Sequence, residues 1–107
     1  MRILALALVA ACSRSAPRPK LVEVTASWCA ACRVLERDAL ADPDVVAELA
    51  RFDVVIVDAS DDPGKARAWN ADVLPTLIPI DSAGREQPRL IGTRSAATLA
   101  SELRAVR

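Results

Sequence analysis

Two cysteines three residues apart, Cys29 and Cys32, stand where a short β-branched run changes into a helix-forming one. The run Leu21-Val22-Glu23-Val24-Thr25-Ala26 has the composition of a strand, and Ala30 to Leu40 is rich in Ala, Leu, Arg and Glu, as a helix would be. The pair therefore falls at a strand-to-helix junction. A helix start carries unpaired N–H groups and a partial positive charge, which favour a sulfur placed there as thiolate. Cys29 is that sulfur. Cys32 follows about one helical turn later on the same face, near enough to close a small disulfide ring with little backbone movement. The pair can thus cycle between dithiol and disulfide.

Other uses of two such cysteines stand beside this one. Half of a zinc site lacks ligands, because the chain has no His and its third cysteine is Cys12. A static bridge is the plainer alternative, although structural disulfides usually close longer loops. A Cu(I) ion would also suit two soft thiolates. No metal, and no other cofactor, is called for by the residues present.

The 107 residues suffice for one domain, and 52% hydrophobic content suffices for a packed, mainly aliphatic core, since Trp28, Phe52 and Trp69 are the only aromatic residues. Basic and acidic residues balance at 14 each, so nothing draws the chain to nucleic acid. The chain is read as a monomer.

The first residues look like an address. Met1-Arg2 gives a minimal basic region, Ile3 to Ala10 is apolar, and the run is shorter than the about 20 residues that span a bilayer. Val9-Ala10-Ala11-Cys12 resembles the bacterial lipobox, in which the cysteine is lipidated and becomes the new N-terminus. That resemblance implies a signal peptide over 1–11, a lipid on Cys12 and a flexible tether over 12–20, with Pro17, Pro19 and three basic residues, followed by a domain over 21–107. An ordinary signal peptide cut near Ala16 is the alternative. Either way the compartment is outside the cytoplasm, where disulfides persist.

Beyond the motif, Asp42-Pro43 and Asp62-Pro63 each read as an N-cap followed by a proline in the first turn of a helix. Val45, Val46 and Leu49 form the inner side of the first of these helices, and Ala66 and Trp69 that of the second, which stops at Asn70. Phe52 to Val57 is a nearly continuous apolar run, expected to be a strand covered on both faces. Leu77-Ile78-Pro79-Ile80 and Pro88 to Ile91 are strands joined through a turn at Ser82-Ala83-Gly84. Ser95 caps a last helix with Leu99, Leu103 and Val106 in one stripe. The order β, α (broken), β, α, β, β, α describes an α/β three-layer sandwich: a four-stranded mixed sheet, made of a parallel pair plus an antiparallel hairpin, with helices on both faces.

Trp28-Cys29-Ala30-Ala31-Cys32 after a strand, with Leu74-Pro75-Thr76 before another, resembles the thioredoxin superfamily. Ala26 to Cys32, Asp42-Pro43, Val73 to Thr76, Asp81 to Glu86 and Arg89 to Gly92 are similar, more closely, to the C-terminal periplasmic domain of the DsbD family of thiol:disulfide interchange proteins. The likeness covers about Leu21 to Leu103. Two positions depart from it. Arg33 stands where that branch often has Lys, and Pro79 interrupts an inner strand, where a bulge or a weakened pairing is expected.

The resemblance implies a thioredoxin-like fold and an exported thiol:disulfide oxidoreductase. Cys29 would be the exposed attacking thiol and Cys32 the buried resolving one. Pro75 would be a cis-proline facing the disulfide, with Leu74 offering backbone hydrogen bonds to an extended substrate. Glu23 falls where the family keeps a buried acid, Glu36 where the nearer branch has a second acid, and Trp28 would pack as a lid beside the motif. Its partners would be disulfide-bearing periplasmic proteins and a separate electron donor, since the chain carries no electron-conducting membrane portion of its own, and the lipid on Cys12 would hold it on the periplasmic side of a bacterial membrane.

Overall fold

Leu21 to Thr25, an alternation of β-branched and larger side chains, forms the inner strand β1 (Lys20–Thr25) of a computed structural model that describes residues 16–107. The chain continues through α1 (Ala30–Arg37), α2 (Pro43–Leu49), β2 (Asp53–Asp58), α3 (Pro63–Ala68), β3 (Thr76–Ile80), β4 (Leu90–Ile91) and α4 (Ala96–Arg104). The sheet order is β2-β1-β3-β4, with β1 parallel to β2 and the other neighbours antiparallel. The expected α/β sandwich, its mixed four-stranded sheet and its element order are all present. Cys12 and the residues read as signal peptide lie outside the described residues.

Alternation along β1 divides the core. Leu21 faces a cluster with Leu35 of α1, Val45 of α2, Leu77 of β3, and Leu99 and Leu103 of α4. Val22 and Val24 face the other way, with Val57, Ile78 and Ala66 of α3. Each fully buried aliphatic side chain contributes on the order of 1.5–3 kcal/mol. The helix starts are those the sequence predicts: Asp42, Asp62 and Ser95 accept the N–H groups of Asp44, Lys65 and Thr98, satisfying donors that the helix leaves open. Asn70, at φ 54°, ends the turn after α3 in the left-handed conformation that asparagine tolerates.

Several expectations are corrected. The apolar run of β2 is not covered on both faces, because β2 is an edge strand and Val54 and Ile56 are exposed on it. Val46 also points outward; only Val45 and, in part, Leu49 of α2 pack inward. The first helix ends at Arg37 rather than Leu40, and the last strand shrinks to two residues. Pro79 causes no bulge on its β1 side, where it pairs opposite Leu21. Its carbonyl takes the N–H of Gln87, so the missing proline donor faces the β4 side, where the ladder has already ended at Leu77 and Leu90. Within the segment expected as a tether, Arg18 donates to Asp53 and to the carbonyls of Ala50 and Phe52, and the Asp53 N–H donates to Pro19, so residues 18–20 are bound to the domain.

Candidate functional site

The C-terminal end of β1 delivers Ser27 and Trp28 to a turn held from the next loop. Ser60 accepts the Ser27 N–H at 2.6 Å, and the two hydroxyls lie 2.9 Å apart. Cys29 then takes an extended conformation as N-cap of α1, and its Sγ accepts the N–H of Cys32 at 3.1 Å. Cys29 and Cys32 form a disulfide across 5.3 Å between Cα atoms. Cys32 is fully buried and Cys29 is 8% exposed, so the cysteine expected to be exposed is more covered than the sequence suggests. Even so, Cys29 opens onto the surface.

It opens into a groove of about 390 Å³ between the motif, α3 and the loop before β3, lined among others by Trp28, Pro63, Ala66, Arg67 and Leu74. Leu74–Pro75 is a cis peptide, as expected, and Leu74 reaches the groove while Pro75 is fully buried beside it. The carbonyl of Pro75 accepts the N–H of Gly92, and the Thr76 hydroxyl donates to the carbonyl of Val73 at 2.5 Å. Trp28 is not a packed lid: it is 71% exposed at the groove edge.

The face of β1 that carries Leu21 also carries Glu23 and Thr25. Glu23 is buried and shares a hydrogen bond with Glu36, one turn beyond Cys32 on α1. Loss of water, then the hydrogen bond to Glu36 and its charge, push the Glu23 carboxyl up to about 7, with Arg33 pulling the other way. Burial also raises Glu36, but hydrogen bonds from Thr25 and Arg33 outweigh it and hold that carboxyl below its ordinary range. The expected carboxyls are therefore together, with opposite tendencies. Sequence reasoning noted Arg33 only as a departure from Lys and overlooked Thr25, although the spacing of Arg33 and Glu36 was a readable pairing signal. For Ser60 and Arg67 the sequence held no such signal, because their places depend on how separate loops meet.

A disulfide at a helix start, beside a cis-proline on a sheet of this order, defines a thioredoxin-like Cys-x-x-Cys domain. The family model for the thioredoxin-like domain matches residues 5–107, and the chain belongs to that family. It is 32% identical over 95 residues to the thiol:disulfide interchange protein DsbD of Escherichia coli strain K12, a match covering 81% of this chain and 16% of that protein. The chain thus spans about a sixth of the length of the curated relatives it matches. Among solved structures, a thioredoxin from Thermus thermophilus is similar at 31% identity and TM-score 0.70, covering 81% of this chain and 72% of that one. The oxidised DsbD C-terminal domain of Neisseria meningitidis shares the fold at TM-score 0.70 and 20% identity, over 84% of this chain and 81% of that one.

Proposed function

We propose that the protein is an exported, membrane-tethered thiol:disulfide oxidoreductase that reduces disulfides in partner proteins. The observation that carries this reading is the disulfide itself: Cys29 opens on a groove while Cys32 is sealed behind it. In the reduced protein the Cys29 thiolate attacks one sulfur of a partner disulfide, forming a mixed disulfide and expelling the partner's other sulfur as a thiolate. Cys32 then loses its proton and attacks Cys29 Sγ, which releases the second partner sulfur and closes the Cys29–Cys32 bond. Two electrons have passed to the partner. The groove, with Trp28 and the backbone of Leu74 at its edge, receives the extended partner segment beside Pro75.

Glu23 serves as acceptor for the Cys32 proton, which suits a buried carboxyl raised to about 7, and Glu36 is its partner acid. Reducing equivalents come from a separate donor protein. Lipid on Cys12 fixes the chain to the periplasmic side of a bacterial membrane; among the described residues no helix is long and apolar enough to cross one. The residues before 12 act as its signal peptide, and the protein works as a monomer.

The test is the Cys32→Ser variant, which leaves a mixed disulfide with no internal exit. It should accumulate covalent complexes through Cys29 with exported proteins, and a glutathione titration of the wild type should place its potential nearer about −270 mV than about −120 mV. Absence of trapped complexes would remove the exchange reaction, and a potential near the upper value would reverse the direction of electron flow.

A further inference from the structure

Two carboxyls meet between β1 and α1, Glu23 and Glu36, and one cation serves them unequally. The guanidinium of Arg33, the residue after Cys32, grips Glu36 with both arms: Nε donates to Oε1 at 3.1 Å and Nη2 to Oε2 at 3.1 Å. The same Nη2 reaches Thr25 Oγ1 at 3.2 Å, and Nη1 reaches the carbonyl of Ser27 at 3.3 Å. The Thr25 hydroxyl donates to Glu36 Oε2 at 2.8 Å. Glu36 therefore receives three donors that favour its ionised form. Glu23 is the more deeply buried of the two, and its carboxyl lies against that of Glu36. Two carboxyls in such contact hold a proton between them, and the donors on Glu36 leave that proton to Glu23.

Among the described residues that neighbour Glu23 on the sheet or in the core of this face, none is a cation. On the sheet, Glu23 is flanked by Ile56 of β2 and Leu77 of β3. On the same face α4 contributes Leu99, Ala100 and Leu103 to the core. Asp58, at the end of β2, also senses Arg33, and it is itself an anion. The ion pair of Arg33 with Glu36 is partly exposed, with side chains 45% and 34% accessible, so it adds little to stability. A fork held on four oxygens, with little return in stability, calls for another purpose.

We propose that Arg33 is a positioning residue for the resolving step: its fork on Glu36 and Thr25 holds Glu36 ionised and leaves the shared proton on Glu23, and its charge helps that proton leave, so that Glu23 is free to take the one from Cys32. The proposal rests on Glu23 as the proton acceptor. Removing the cation leaves the pair with its proton at higher pH, and the acceptor is then filled when Cys32 needs it. Lysine restores the charge without the fork.

Two measurements on the full chain decide it. Carboxyl-carbon NMR of glutamate-labelled, oxidised protein follows Glu23 directly, and single-turnover resolution of a mixed disulfide is followed against pH. Arg33→Met should raise the Glu23 midpoint and the inflection of the resolution rate together by about one pH unit, as loss of a nearby opposite charge predicts, while Arg33→Lys should stay close to the wild type in both. An unmoved Glu23 midpoint in Arg33→Met overturns the proposal, and so does a displacement in Arg33→Lys as large as that in Arg33→Met. Unimpaired resolution in Glu23→Gln would instead remove Glu23 from the chemistry, and the NMR midpoints would still decide what Arg33 does to it.

Discussion

The backbone N–H of Cys32 points at the sulfur of Cys29, 3.1 Å away, so in the proposed reaction the resolving residue also solvates the attacking sulfur. In the dithiol form the same donor, at the first turn of α1, meets a thiolate. In reduced protein at neutral pH, iodoacetamide should label Cys29 well ahead of the fully buried Cys32. Faster labelling of Cys32 would exchange the two roles.

Glu23 links the site to stability. Its carboxyl is raised from 4.5 to about 7 by burial, so the folded state holds a proton there that the unfolded state has released. Between those two pH values the folded form binds more protons, and stability falls as pH rises. At about 1.4 kcal/mol per pH unit, the loss is at most on the order of 3 kcal/mol. Glu23→Gln should flatten this dependence and make the oxidised protein more stable at pH 8, by about 1–3 kcal/mol in urea unfolding. An unchanged pH profile would mean that Glu23 is hydrated.

Ser60 is predicted to hold the motif's approach. Ser60→Ala removes the acceptor of the Ser27 N–H and the hydroxyl contact between the two serines. The cost should be about 1 kcal/mol, with faster hydrogen exchange at the Ser27 amide. Unaltered exchange would show that water replaces the hydroxyl without loss.

Cys12→Ala tests the anchor. The variant should move from the membrane fraction to the soluble fraction, with no change in the disulfide chemistry of the purified domain. Unchanged fractionation, or a mature N-terminus beyond residue 12, would end the lipidation reading.

Much of this fold is legible in the sequence because its signals are local. Asp42-Pro43, Asp62-Pro63 and Ser95 mark helix starts through side chains that cap donors within three residues. The cysteine pair is equally local. What the sequence hides is what lies beside each element. Val54 and Ile56 belong to an apolar run that suits an inner strand, and only the sheet order shows that one edge of β2 is open. Pro79 looked harmful to its ladder until the orientation of its carbonyl showed which side lacks a donor. Arg33 sits on the helix next to the motif, yet it donates to Thr25 of a strand and to a carbonyl of the turn, partners that only tertiary packing brings within reach.

The clasp of Arg18 on Asp53 and on the carbonyls of Ala50 and Phe52 fixes where the chain enters the domain. Entry is at the start of β1 and β2, whereas Cys29 follows the far end of β1, so the length of a six-residue strand, about 20 Å, separates the two. An attachment through the residues before Ala16, as proposed, would hold the domain at the pole opposite Cys29. A bulky folded partner could then approach the disulfide without being crowded by the surface of attachment.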